Sequence, residues 1–219
     1  MKGLLRWPLI IAIAAGGALL LSSGSSHASG PITKEERSEY RRFIRKLGGE
    51  VEAKYGIEGM ADYLDAVAYW ESKYNPTVAG DSSRSIGLYQ MQAGTAFRQS
   101  NGLTDLRPQA DRILRDPTKA TLLAVDYAVN RVKRSRQAGG PGDWFAVRRG
   151  WYLPVSTADV DGSEYPDAWN RVLRNFTRAL KAVGLPVTFM DRQPDVSGYP
   201  GIQQMLDDFN VNLTSAASA

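Results

Sequence analysis

The spacing of apolar residues along the chain predicts amphipathic helices joined by polar, glycine-rich loops, with almost nothing that alternates as a strand does. Thr33 with Glu36 three residues on forms a capping-box pattern, and Tyr40, Phe43 and Ile44 follow at helical spacing until Gly48-Gly49, where a break is expected. A second helix is expected from about Gly59 to Tyr74. It should stop at Asn75-Pro76, because the residue before a proline avoids the helical conformation. Residues 77–91, rich in Gly and Ser, read as a structured loop, and Thr95 to Ser100 as a short helix.

The clearest helix is PTKATLLAVDYAVNRVKRSR from Pro117, with proline at its first position and basic residues at its end. Trp144 to Arg149 reads as a short helix, 150–165 as a polar loop, and 166–183 as an amphipathic helix with Trp169, Val172, Leu173 and Phe176 on one stripe. Beyond Leu185, proline and glycine recur around a weak helix near Ile202 to Phe209. The pattern predicts a mainly α fold, a single domain with little or no sheet.

Composition changes this picture at the N-terminus. Lys2 and Arg6 precede an apolar run from Pro8 to Leu21, and Ser26-His27-Ala28 follows as a small-x-small cleavage site. Residues 1–28 therefore read as a secretory signal peptide, since the run is short of the roughly 20 residues a spanning helix needs. Uncleaved, the segment would act as an N-terminal anchor, the only membrane association expected. The rest divides into an N-terminal helical segment (29–56), a central domain (57–184) and a C-terminal extension (185–219). The 219 residues carry a formal net charge of +4, of which the leader supplies Lys2 and Arg6 and no acid. So mild a charge suits an anionic envelope polymer and is no argument for nucleic acid, which is not expected as a partner. The clusters Arg41-Arg42…Arg45-Lys46 and Arg131…Lys133-Arg134…Arg136 read as solvated helix faces. Oligomeric state is not legible.

The inventory of reactive side chains is short. There is no cysteine, and the one histidine, His27, lies in the leader. Ser-His-Asp and Cys-His catalysis and His- or Cys-ligated zinc are thereby excluded, and neither metal nor cofactor is expected. Acid–base work would fall to carboxylates, Lys or Tyr.

Glu71 stands out among the carboxylates. Met60, Tyr63, Leu64, Val67, Ala68, Glu71 and Tyr74 trace one helical stripe, whereas Asp62, Asp65, Tyr69, Ser72 and Lys73 are expected on the other side. Burial on the stripe penalises the ionised form, and the C-terminal end of the helix dipole works against a negative charge as well. A protonated glutamate in such a place suits a general acid. The alternative is a glutamate that turns outward or pairs with a nearby arginine.

The residues around it carry a resemblance. Glu71-Ser72-x-x-Asn75-Pro76, then Ser85-x-Gly87-Leu88-x-Gln90, then Ala93-Gly94-Thr95-Ala96 are similar to the soluble lytic transglycosylase family of lysozyme-like domains, which cleave peptidoglycan glycan strands. The motif spans residues 71–96, and helical segments similar to the family's continue to about residue 183. The resemblance implies a lysozyme-like fold with Glu71 as catalytic acid beside a substrate groove. Ser85, Gly87 and Gln90 would stand along that groove, Gly87 letting backbone pass close to the sugar. Glu71 would protonate the oxygen between N-acetylmuramic acid and N-acetylglucosamine, then deprotonate the muramyl C6 hydroxyl as a 1,6-anhydro ring closes.

One departure is visible. The family's Ala-Tyr-Asn-x-Gly segment is here Ala146-Val147-Arg148-Arg149-Gly150, followed by Trp151-Tyr152, so Tyr152 is the candidate to replace the missing tyrosine. A hydrolytic muramidase would instead need a second carboxylate, for which Asp81 is the first candidate, with Asp161, Glu164 and Asp167 further along. Asp81 is read equally well as a turn stabiliser in Gly-Asp-Ser-Ser. A non-catalytic peptidoglycan-binding protein is the alternative outside enzymes.

Overall fold

Helix α1 (Lys34–Tyr55) starts at the capping box: Thr33 Oγ1 accepts from the Glu36 amide at 3.1 Å, and the Glu36 carboxylate accepts from the Thr33 amide at 2.7 Å. The computed structural model describes residues 31–80, 84–152 and 166–215. The expected signal peptide, 1–28, lies outside the described residues. Contrary to expectation, α1 does not break at Gly48-Gly49 but continues to Gly56, a left-handed C-cap with φ of 71°. Gly48 faces helix α2 (Met60–Ser72), where a Cβ would come 2.7 Å from Ala61 Cα. The glycine is there so that two helices can touch, not so that one can end.

Helix α2 ends earlier than expected, at Ser72, because Lys73 and Tyr74 both take left-handed backbone (φ 53° and 67°). Its outer face is also not what the periodicity predicts. Asp65 is fully buried, accepting from Arg41 Nε and Arg45 Nη1, each at 3.0 Å, and from the Tyr74 hydroxyl at 2.6 Å. Ser72 is buried too. The physical reason is that α1 covers this face and brings its own arginines to the acid, so a polar position on α2 need not be a wet one.

After α2 the chain forms a small antiparallel sheet of three two-residue strands, β1 (Ala79–Gly80), β2 (Ser85–Ile86) and β3 (Met91–Gln92), in the order β1-β2-β3. Ala79 pairs with Ile86, and Ser85 with Gln92. Helix α3 (Ala93–Ala96) follows directly, earlier and shorter than the expected 95–100, with a 3-10 turn at Gln99–Asn101 behind it. Helix α4 (Ala110–Arg115) leads into α5 (Pro117–Gln137), capped by Asp116 Oδ1 accepting from the amides of Thr118 (2.9 Å) and Lys119 (3.1 Å). α5 is buried along most of its first half, as the axis of the core.

Helix α6 (Trp144–Tyr152) runs past the expected end at Arg149, so residues 150–152 are helical, not part of a loop. Helices α7 (Pro166–Val183) and α8 (Ile202–Asp208) complete the fold. The tail joins the same core. Met205 and Leu213 are buried, the Tyr199 hydroxyl donates to Asp126 Oδ1 at 3.0 Å, and Lys119 Nζ donates to the Ser215 carbonyl at 2.8 Å. The architecture is mainly α, as expected. Among the described residues, no helix is long and apolar enough to cross a membrane.

The two adjacent glycines of α1 make opposite predictions. Gly49 has open space around it, so Gly49→Ala is expected to stabilise by about 0.5–1 kcal/mol through lower unfolded-state entropy. Gly48→Ala is expected to destabilise by about 1–3 kcal/mol, because the new methyl overlaps Ala61. Urea unfolding of the two variants checks this; shifts of the same sign would contradict the packing described.

Candidate active site

Glu71 lies in the last turn of α2, on the stripe that also carries Tyr63. Its side chain keeps 14% of its surface exposed, and Oε1 accepts from Arg148 Nη1 at 2.7 Å. Arg148, on α6, is 1% exposed, with its guanidinium over the Phe176 ring at 4.6 Å. The two helices are brought together by aromatic stacking. Trp144 lies on Tyr63 at 4.5 Å and nearly parallel, with Phe189 stacked on its other side. Trp144 and Arg148 are one turn apart on α6, so the stack that seats the tryptophan also delivers the arginine to Glu71.

Glu71 is therefore paired with an arginine, the alternative open in the sequence. Oε2 has no hydrogen-bond partner among the described residues. Tyr63 is fully buried, its hydroxyl without a hydrogen bond among the described residues, and burial pushes its phenol well above the usual range. Burial, helped by Arg37 and opposed by Glu71, pushes the Lys73 ammonium below its ordinary range.

The loop that follows is tied to α2. Ser72 Oγ lies within donating distance of the Leu88 carbonyl, 2.9 Å, and of the Ala68 carbonyl, 3.1 Å. Asn75 Oδ1 accepts from the Thr77 amide and hydroxyl, a side-chain-closed turn. Ser85 is buried in β2, between Gly80 and Gln92. Gly87 has φ of 74°, and a Cβ there would fall 2.0 Å from the Leu114 carbonyl oxygen. The close approach it permits is thus to the protein's own α4. Gln90, also at positive φ (47°), folds its amide back so that Nε2 donates to the carbonyls of Val78 (3.1 Å) and Gly87 (3.0 Å).

The structure thus brings Ser85, Gly87 and Gln90 together as one braced loop beside the end of α2. Tyr152 is the last residue of α6. Asp81, Asp161 and Glu164 lie outside the described residues. Arg148 is the site residue that sequence reasoning missed, although two adjacent arginines between Trp144 and Trp151 on a short apolar helix were a signal. Trp151 meanwhile ties α6 to the loop and to α5: its Nε1 donates to the Tyr89 carbonyl at 3.2 Å and its ring meets Tyr127 edge-on at 4.8 Å.

Residues 49–148 match the model of the family described as transglycosylase SLT domain. The match opens within α1 and closes on Arg148. No curated protein and no solved structure matches the chain.

Gly87 is the most constrained position of the loop, since a side chain would be strained by the positive φ and would overlap a backbone carbonyl. Gly87→Ala should lower stability by about 3 kcal/mol or more. Thermal unfolding reads this directly, and a midpoint unmoved by the substitution would contradict the close approach to Leu114.

Proposed function

We propose, from the match of residues 49–148 to the transglycosylase SLT family model, that the chain is an exported lytic transglycosylase of peptidoglycan with Glu71 as its acid and base. The observation that carries the assignment is the placing of Glu71. It is a largely buried carboxyl in the last turn of α2, beside the Ser85–Gln90 loop, with one oxygen held by Arg148 and the other without a partner among the described residues.

In this reading the protonated Glu71 gives its proton to the oxygen linking N-acetylmuramic acid to N-acetylglucosamine, and the C1–oxygen bond breaks. The carboxylate left behind is the form that the Arg148 guanidinium stabilises. That carboxylate then takes the proton of the muramyl C6 hydroxyl as O6 closes on C1, which restores the protonated form that acts as the acid. No water is consumed, and one carboxylate serves both steps. Arg148 acts through Glu71, as a positioning residue. Ser85, Gly87 and Gln90 line or shape the groove, and Tyr152 is the proposed substitute for the family's missing tyrosine. Neither metal nor organic cofactor enters the reaction. The export follows from residues 1–28 read as a signal peptide and from a substrate that lies outside the cytoplasm, in the periplasm or cell envelope.

Digestion of purified sacculi with wild type and Glu71→Gln tests the assignment. Wild type should release muropeptides ending in 1,6-anhydromuramic acid, lighter by one water than those with reducing ends, and Glu71→Gln should lower the rate by at least about 100-fold. Reducing ends would mean that water attacks and the protein is a muramidase. Turnover unchanged in Glu71→Gln would remove Glu71 from the chemistry, and binding without any turnover by wild type would make the chain a peptidoglycan-binding protein. Arg148→Lys should lower kcat by about tenfold with little change in KM, because lysine keeps the charge but not the planar fork.

A further inference from the structure

One face of α5 carries Tyr127, Asn130, Arg131 and Arg134 at helical spacing, and together with Thr95 and Arg98 these line a cavity of about 590 Å3. The sequence presents these arginines as part of a solvated basic run. The structure separates them: Arg131 and Arg134 face the cavity, whereas Lys133 lies over the Tyr199 ring elsewhere.

The cavity holds more positive charge than the described residues neutralise. Arg98 is paired with Asp126 at 2.5 Å, and Asp126 is already shared with Asn101, Asn130 and Tyr199. No carboxylate among the described residues is within ion-pair distance of Arg131 or Arg134. Arg131 is nonetheless held in place. Its Nε donates to the Tyr127 hydroxyl at 2.8 Å, its guanidinium lies over the Tyr127 ring at 5.0 Å, and its side chain crosses Gly150, where a Cβ would come 2.7 Å from Arg131 Cδ. Arg98 lies over the same Tyr127 ring at 5.5 Å. Two guanidinium groups on one ring with one acid between them form a built site for an anion, and an arginine whose Nε is already bonded presents its two terminal nitrogens as a carboxylate fork.

We infer that this cavity binds carboxylates of the peptide stems attached to the glycan strand. The inference rests on peptidoglycan as substrate: the sugar rings are neutral and the muramyl lactyl carboxyl is taken up in the amide to the stem, so the free carboxylates of the stem are what an anion subsite can recognise. Arg131 fixes the carboxylate and Arg134, at the rim, draws it in.

The test is calorimetric titration of the full chain with the soluble stem tripeptide L-Ala-γ-D-Glu-meso-diaminopimelate, without turnover. Arg134→Glu should weaken binding by about tenfold or more, and so should amidation of the peptide's carboxylates. Lys133→Glu makes the same change of charge on the same helix outside the cavity and should bind as wild type does. Arg134 is exposed and has no side-chain partner among the described residues, so its replacement should leave the fold intact, as circular dichroism would verify. Equal loss in Lys133→Glu, unweakened binding of the amidated peptide, or binding of inorganic phosphate with no binding of the peptide would each overturn the inference. Because the readout is binding, a chain that takes the peptide but leaves sacculi intact would overturn the lytic assignment and not this one.

Discussion

A guanidinium buried to 1% exposure needs an anion, and among the described residues the carboxylate that Arg148 meets is that of Glu71. An isolated charge away from water is penalised by several kcal/mol, so the pair constrains everything that delivers its members. α2 must present Glu71 from its last turn, and α6 must be seated by the Trp144 stack so that Arg148 lies between Glu71 and the Phe176 ring. Gly48 enters the same constraint from a distance, because α2 keeps its position only while α1 can lie directly against it.

Buried acids recur as fixing points in the rest of the fold. Asp65 gathers Arg41, Arg45 and Tyr74 at the contact of α1 with α2, and Asp126 gathers Arg98, Asn101, Asn130 and Tyr199 where the tail meets α5. Each is surrounded by donors from several segments, which is what a charge needs when it leaves water. Arg148 inverts the scheme: there the buried group is the cation, and its partner carboxylate keeps a partial opening to solvent. A structural salt bridge with both members sealed would serve the fold alone. A pair with one open oxygen holds the carboxylate still and leaves that oxygen accessible.

Helices with strong periodicity or capping chemistry were legible in the sequence, as Thr33-x-x-Glu36 and Asp116-Pro117 show. What was not legible depends on neighbours distant in sequence. Gly48 reads as a helix breaker because its packing against Ala61 involves another helix, and Asp65 reads as exposed because its arginines come from α1. The early end of α2 follows from left-handed Lys73 and Tyr74, which have no propensity signal of their own. At the candidate site, Glu71 stood out by its place on the stripe, and the Ser85–Gln90 loop only through its resemblance to a family motif. Arg148 could not be assigned, since nothing local joins α6 to the end of α2, although its place in an apolar helix was visible. The bracing of Gln90 against its own loop, and the approach of Gly87 to Leu114, likewise depend on the folded chain.

The account turns on the Glu71–Arg148 pair as a single energetic unit, and a double-mutant cycle measures that directly. Urea unfolding of Glu71→Gln, Arg148→Met and the double variant should give a coupling of at least about 1.5 kcal/mol, with the double variant destabilised by less than the sum of the single losses. The cause is that Met at 148 leaves no buried cation to be stranded when the glutamate is neutralised. Losses that add to within about 0.5 kcal/mol would mean that the two side chains are energetically independent, and the view of Glu71 as a carboxylate fixed by its arginine would then be wrong.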